Sequence, residues 1–187
     1  MAENKVRPQR ELMLSGELYD ASDPELTASR RRCRLLLRRF NDSDDEDERD
    51  AILRELCGGV GERVFVQPPF YCDYGWNIRI GERTFANFGL VALDVAPISI
   101  GDHCQIGPYV QLLAATHPVD PALRRSGAES AAPISVGPNV WLGGGAIICP
   151  GVTIGENTVI GAGSVVTKDI PSNVVAAGSP CRVIREL

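Results

Sequence analysis

The chain has 187 residues, 44% of them hydrophobic and 23% charged, with a formal net charge of -5, the make-up of a soluble chain of one domain, or one domain with a small appendage, that can bury a proper core. The acidic balance excludes a general electrostatic attraction to nucleic acid or to an anionic membrane surface. The polar opening from Met1 to Arg10 lacks the apolar centre of a signal peptide, and no stretch approaches the roughly 18 apolar residues of a membrane span, so a cytoplasmic protein with no membrane partner is expected.

From Val6 to about Gly59 the pattern is helical. Leu12 and Leu14 precede Gly16-Glu17-Leu18-Tyr19-Asp20, and after a turn at Ser22-Asp23-Pro24 the spacing predicts a helix from Pro24 with Asp23 as its cap. Its basic run, Arg30-Arg31-Arg32 through Arg38-Arg39, suggests nucleic acid, but the next segment, Asn41 to Glu48, is as acidic as this one is basic. The two runs are read as helix faces that are solvated or pair with each other. A second helix is expected from Asp44 to Leu56, with Ser43 as its cap and a stop at Gly58-Gly59.

The chain turns β-rich at Val60, dividing it into a helical segment, 1–59, and a β domain, 60–187. A repeat starts near Ile78-Arg79-Ile80-Gly81 and becomes strict between Ile134 and Val166, where Val136, Leu142, Ile148, Ile154, Ile160 and Val166 recur every sixth residue. A second series, Ile134, Val140, Ala146, Val152, Thr158 and Ser164, runs two residues ahead of the first. A period of six is too short for a helical repeat and is a multiple of the strand period of two, so the aliphatics share one side while Gly or Asn takes the bend. The economical solution is a parallel β-helix, three six-residue sides to a coil, with the aliphatics stacked inside the prism. The competing arrangement, an ordinary β-sandwich, rarely keeps a strict spacing over so many units.

The beat breaks once, at residues 113–133, an inserted loop that carries His117-Pro118-Val119-Asp120, Arg124-Arg125 and Glu129. A loop of about twenty residues within a compact repeat implies a task, which makes it the best site candidate. The chain's only other histidine, His103, falls at an outward corner of a regular unit, and Cys104 beside it in the inward slot. The six cysteines (Cys33, Cys57, Cys72, Cys104, Cys149, Cys181) are dispersed and form no Cys-x-x-Cys pair, so neither a zinc knuckle nor a redox pair is suggested and no metal is expected.

The six-residue beat is similar to that of the left-handed β-helix acyltransferases. The opening, with Gly16-Glu17-Leu18-Tyr19-Asp20, Asp23-Pro24-Glu25-Leu26 and Phe40-Asn41, resembles the helical segment of the maltose and galactoside O-acetyltransferases and the nodulation acetyltransferases. The resemblance covers nearly the whole chain and supplies the left-handed sense, since parallel crossovers are ordinarily right-handed. It implies an acetyl-CoA-dependent O-acetyltransferase acting on a hydroxyl of a sugar such as maltose, glucose or a galactoside, by direct attack in a ternary complex. It also implies a homotrimer with its sites between subunits.

Carried over residue by residue, the resemblance makes His117, in Thr116-His117-Pro118-Val119, the catalytic base, a role that suits an imidazole with an ordinary pKa near 6.5. Glu129 is the choice for its orienting partner; the galactoside branch has Met there, so Glu favours the maltose-like side. Asn87 is expected to face the acceptor or the developing oxyanion, although Asn is also a common turn former. Asp94, Asp73, Asp20 and Arg30 are the further acceptor-side candidates. Trp141, Gly144, Ala162, Thr167, Lys168, Arg182 and Arg185 fall at the cofactor positions, the small residues admitting the pantetheine arm and the cations meeting phosphate. Three readings compete. A zinc-dependent carbonic-anhydrase-like β-helix requires three histidines per metal where the chain has two; an antibiotic or xenobiotic O-acetyltransferase of the same fold lacks the sugar branch's helical opening; and a catalytically silent structural β-helix has no use for a long loop carrying His and Glu.

Overall fold

A computed structural model describes residues 7–187, so most of the polar opening and the start of the helical segment at Val6 lie outside the described residues. Three helices come first, α1 (Gln9–Leu14), α2 (Pro24–Asp42) and α3 (Glu46–Leu56). The Asp23 carboxylate caps α2 by accepting from the amides of Glu25 and Leu26 at 2.9 and 3.4 Å. The cap of α3 is Asp45 and not Ser43: its carboxylate accepts from Asp47 and Glu48 at 2.9 and 3.1 Å. Ser43 instead closes α2, its amide bonding the Arg39 carbonyl, because the group immediately before the first helical residue is the one that reaches the open amides of the first turn. The basic and acidic runs meet as pairs between these helices, Arg32 with Glu55 at 3.0 Å and Arg39 with Glu48 at 3.4 Å, exposed contacts of small energetic weight. Among the described residues no helix is long and apolar enough to cross a membrane.

The rest is a prism of three parallel sheets with about six turns. Its first coil is β1 (Gly59–Val60), β2 (Phe65–Val66) and β3 (Phe70–Cys72); its second is β4 (Ile78–Ile80), β5 (Phe85–Ala86) and β6 (Leu90–Leu93). The third is β7 (Ile98–Ile100), β8 (Gln105–Ile106) and β9 (Gln111–Leu113), after which the loop contributes β10 (Ala115–Thr116), α4 (Pro121–Arg124) and β11 (Ser130–Ala131). Coils four and five are β12 (Ile134–Val136), β13 (Trp141–Leu142), β14 (Ile147–Ile148), β15 (Thr153–Ile154), β16 (Val159–Ile160) and β17 (Val165–Val166). Ile170 and β18 (Val174–Gly178) begin a sixth coil, which β19 (Cys181–Glu186) closes by antiparallel pairing with β18.

The register follows from the beat. Val136 stacks on Ile154 and Leu142 on Ile160, each partner lying three six-residue units further on. Both inward series are buried, and the two polar members are satisfied: the Thr158 hydroxyl donates to the Pro171 carbonyl at 2.8 Å and the Ser164 hydroxyl to that of Gly161 at 2.6 Å. Glycine and asparagine divide the corner between them. At the first corner the left-handed residue is Asn139, Asn157 or Asn173 in the later coils and Arg63, Arg83 or His103 in the earlier ones, and the three Asn amides form a ladder at 2.9 and 3.0 Å. Gly137, which follows the aliphatic, does not take the bend; a Cβ on it would come within 2.7 Å of the Glu156 amide in the next coil.

The helices cover the open end of the first coil. Leu26, Cys33, Leu36, Leu37 and Phe40 of α2 and Ile52, Leu53 and Leu56 of α3 are buried in the same core as the prism aliphatics, and Phe40 meets Phe70 edge to face, centroids 6.3 Å apart. The Asn41 amide bonds both the carbonyl and the amide of Phe70, at 3.0 and 2.8 Å, closing a strand edge that would otherwise be open.

Because the contact at Gly137 is with backbone, Gly137→Ala should destabilise by roughly 1–3 kcal/mol, as overpacking of a dense interior does. Thermal unfolding checks it, with a clear fall in Tm as the expected result.

Candidate active site

The inserted loop is a hairpin that leaves the third corner of the prism and returns in register. Ala115 pairs with Ala131 and Thr116 with Ser130. Continuing that antiparallel register by one residue sets His117 opposite Glu129 at the neck of the hairpin. Below them lies a cavity of about 360 Å³, within the range of small-molecule sites. Arg30, Asp73 and Tyr74 give it polar groups and Leu93, Val95 and Ala115 an apolar side, with His117 and Glu129 completing the lining beside Ala21. The second arm of the site is therefore the N-terminal segment. Arg30 of α2 donates from Nη1 to the Tyr74 hydroxyl at 2.7 Å and from Nη2 to the Ala21 carbonyl at 2.5 Å. Tyr19 forms an antiparallel bridge with Glu129 and donates its phenol proton to Glu129 Oε2 at 2.7 Å.

Burial sets the electrostatics of this cavity. It pushes the Asp73 carboxyl above its ordinary range, opposed by the Arg30 guanidinium and reinforced by Glu129. The Tyr74 phenol is raised for the same reason, again with Arg30 opposing. Among the described residues no group of three His, Cys, Asp or Glu side chains could hold a metal ion.

Of the residues that the sequence proposes, His117, Glu129, Asp73 and Arg30 come together here. Asp94 does not join them. It is 0% exposed, its Oδ1 accepts from the amides of Asp73 and Tyr74 at 3.0 and 2.8 Å and its Oδ2 from that of Asn77 at 3.3 Å, so it fixes the corner from behind while its neighbours Leu93 and Val95 line the cavity. The carboxylate of Asp20 is taken up by the amide and hydroxyl of Ser22, and the residue borders an adjoining cavity of about 330 Å³. Asn87 stands at the second corner, its Oδ1 accepting from the Phe88 amide at 2.8 Å. There it lines a groove of about 290 Å³ with Phe85, Gln105, Pro108, Gly144 and Trp141, the indole 55% exposed. Ala162 is exposed at the same corner one coil below, since a Cβ on Gly143 would meet its amide. Thr167 and Lys168 are exposed after β17, at the third corner, and Arg182 and Arg185 project from β19. His103 is an exposed corner residue, its Nε2 3.8 Å from Glu82. Sequence reasoning did not assign Tyr19, Tyr74, Leu93 or Val95 to the site, although Tyr19 lies in the Gly16–Asp20 motif, Tyr74 follows Asp73, and Leu93 and Val95 flank Asp94.

Short parallel coils around an aliphatic column, with a His-bearing loop and a helical cap, define a hexapeptide-repeat transferase. The comparisons narrow this. Residues 12–61 match the maltose acetyltransferase hexapeptide capping motif, and residues 133–168 match the bacterial transferase hexapeptide, as six repeats. The chain is 49% identical over 180 residues to nodulation protein L of Rhizobium meliloti (strain 1021), covering 95% of this chain and 98% of the relative. It superposes on a maltose O-acetyltransferase from Clostridium difficile 630 with a TM-score of 0.96 at 51% identity, covering 97% and 98% of the two chains. On a galactoside acetyltransferase in complex with coenzyme A the TM-score is 0.94 at 46% identity, covering 97% and 92%. The chain belongs to the maltose and galactoside O-acetyltransferase family, an acyltransferase on a left-handed parallel β-helix.

The buried carboxylate gives this site a pH signature. The Asp94 carboxyl is pushed up to about 6 by burial above all, and by the charge of Asp73, against the amide bonds that hold it down. Its ordinary value is 3.8, so between these values the folded chain holds a proton that the unfolded chain has released, and stability falls as pH rises through that window. Below it Asp94 contributes no slope; above it the full penalty applies, on the order of 3 kcal/mol. Urea unfolding of the wild type and Asp94→Asn from about pH 4 to about pH 6 should therefore give stability differences that shift steadily against the wild type. A constant difference would show that Asp94 does not titrate there.

Proposed function

We propose that the protein transfers acetyl from acetyl-CoA to a hydroxyl of a sugar, with His117 as general base. The observation that carries this reading is that His117 and Glu129 line one cavity at the neck of the hairpin, together with the hydrogen-bonding groups of Arg30, Asp73 and Tyr74 and the aliphatic Leu93, Val95 and Ala115. A neutral imidazole takes the proton of the acceptor hydroxyl as its oxygen attacks, and returns it to the departing thiolate. Glu129 supports the charged imidazole that forms between those events. Arg30, Asp73 and Tyr74 hold the acceptor's other hydroxyls, and the Asn87 amide stabilises the oxyanion. The donor, bound as a thioester, supplies an activated acetyl group, and the coenzyme A complex of the related galactoside acetyltransferase supports that assignment. In this chain the groove of about 290 Å³ at Trp141 and Gly144, with the exposed Ala162 one coil below, is the place for a pantetheine arm, while Thr167 and Lys168 stand exposed at the third corner and Lys168, Arg182 and Arg185 are cations suited to phosphate. Because acyl-CoA thioesters are held inside cells, the reading makes the protein cytoplasmic.

The two halves of the chemistry lie at different corners. His117 belongs to the third corner, whereas Asn87, Gly144 and Ala162 belong to the second, and one prism cannot bring its own corners together. A copy rotated by a three-fold can set its second corner against the third corner of the next, in a heterologous contact that closes into a ring. The reading is therefore a homotrimer with three shared clefts.

His117→Ala should lower kcat by about 10² to 10⁴ while the fold and acetyl-CoA binding persist, measured by free thiol release with a panel of sugars; near-wild-type rates would sink the assignment. For the shared cleft, Asn87→Ala and His117→Ala preparations, each slow alone, should recover part of the rate when dissociated, mixed and reassembled. Mixtures that stay slow would place both groups in one subunit's site.

A further inference from the structure

We infer that Tyr19 is a positioning residue for acyl transfer, acting through Glu129; the inference rests on the proposed role of Glu129 beside His117. Tyr19 is 2% exposed, and a buried phenol without a partner is costly. Its partner is Glu129, held at three points: the phenol donates to Oε2 at 2.7 Å, and the two backbones exchange amide-to-carbonyl bonds at 3.0 and 3.1 Å. A glutamate at the neck of a surface hairpin otherwise has several rotamers to choose among, and fixing one loses up to about 2 kcal/mol of conformational freedom. The Tyr19 contact selects that rotamer in advance, before substrate binds.

The chemistry of the donor matters as much as its place. Burial and the adjacent Glu129 carboxylate push the Tyr19 phenol well above its ordinary value, so it remains a neutral donor throughout the working pH range. A neutral donor orients the carboxylate and leaves its charge available, whereas an arginine in the same place would offset that charge. The cation of the cavity, Arg30, is turned instead to Tyr74 and Ala21. With Oε2 occupied by the phenol, Oε1 is the oxygen that the proposed reading leaves for the imidazole. Tyr19 thus ties the helical segment to the reacting centre as well as to the core.

The test is a double-mutant cycle of Tyr19→Phe and Glu129→Gln, using acetyl-CoA and the sugar turned over fastest in the panel. Tyr19→Phe keeps the ring and both backbone bonds and removes only the hydroxyl. It should lower kcat about tenfold, the loss of one charge-assisted hydrogen bond, with the KM for acetyl-CoA unchanged and a fall of only a few degrees in the thermal midpoint. In the Glu129→Gln background the same change should cost nothing further in kcat. Equal losses in both backgrounds would mean that Tyr19 acts by packing alone. A wild-type Tyr19→Phe beside a slow Glu129→Gln would overturn the positioning role and leave that of Glu129 standing. A wild-type Glu129→Gln would remove the reading of Glu129 and this inference with it.

Discussion

Every feature of the protein depends on one interaction, the parallel ladder between successive coils. At the first corner the amides of Gly61, Gly81, Gly101, Gly137 and Gly155 each donate to the carbonyl of the aliphatic one coil on, all at 2.8 Å. Bonds so uniform require the coils to approach to backbone contact at the corner, and the approach leaves no room for a Cβ. The same closeness sets the stacking of the aliphatics inside, because the carbonyl that receives the bond belongs to the next buried residue. Side chains that do anything other than fill the core are therefore confined to outward strand positions and to the three corners. Function on such a frame must be written in vertical columns.

The one departure from the ladder is built to leave it undisturbed. β7 pairs with β12 residue for residue, although the hairpin lies between them in sequence. The excursion is pinned where it leaves and returns, Ala132 donating to Ala114 at 3.0 Å and Ala114 to Leu93 at 3.2 Å. Its far side is pinned by the N-terminal segment through Tyr19. Viewed this way, the helical cap is part of the site. The segment that shields the first coil from water also brings Arg30 to the cavity wall and a phenol to Glu129.

The beat announced the prism, because a six-residue period has no helical solution and both inward series proved buried. The break in that beat marked the loop whose His117 lines the cavity. What sequence could not carry was which way a corner residue points. Asp94 sits in a corner segment where one position faces the cavity and the next faces the core, and only the three amides that converge on it decide the matter. The Tyr19–Glu129 contact joins residues 110 positions apart, a pairing no local pattern encodes. The α3 cap was misjudged by two residues, since Ser43, Asp44 and Asp45 are all able caps and only the trajectory out of α2 chooses among them. That Gly or Asn takes the bend holds at Gly145, Gly151 and Gly163 and at Asn139, but at Gly137 the demand is close approach.

The cavity's mixed lining, polar and aliphatic, bears on what it can accept. A pyranose presents hydroxyls around its rim and C–H groups on its faces, so a complementary site needs directional partners on one side and an apolar surface on the other. Arg30, Asp73 and Tyr74 supply the first and Leu93, Val95 and Ala115 the second. The charge balance sharpens the match. Asp73 and Glu129 share the cavity with a single cation, and burial already disfavours the charge on Asp73. An anionic acceptor would add a further negative charge to that space, with Arg30 already committed to Tyr74 and Ala21. A neutral polyol meets no such opposition, since each hydroxyl can donate to a carboxylate and accept from the guanidinium or the phenol. On the proposed reading, two acids and one engaged guanidinium around a partly apolar cavity favour an uncharged acceptor over an anionic one.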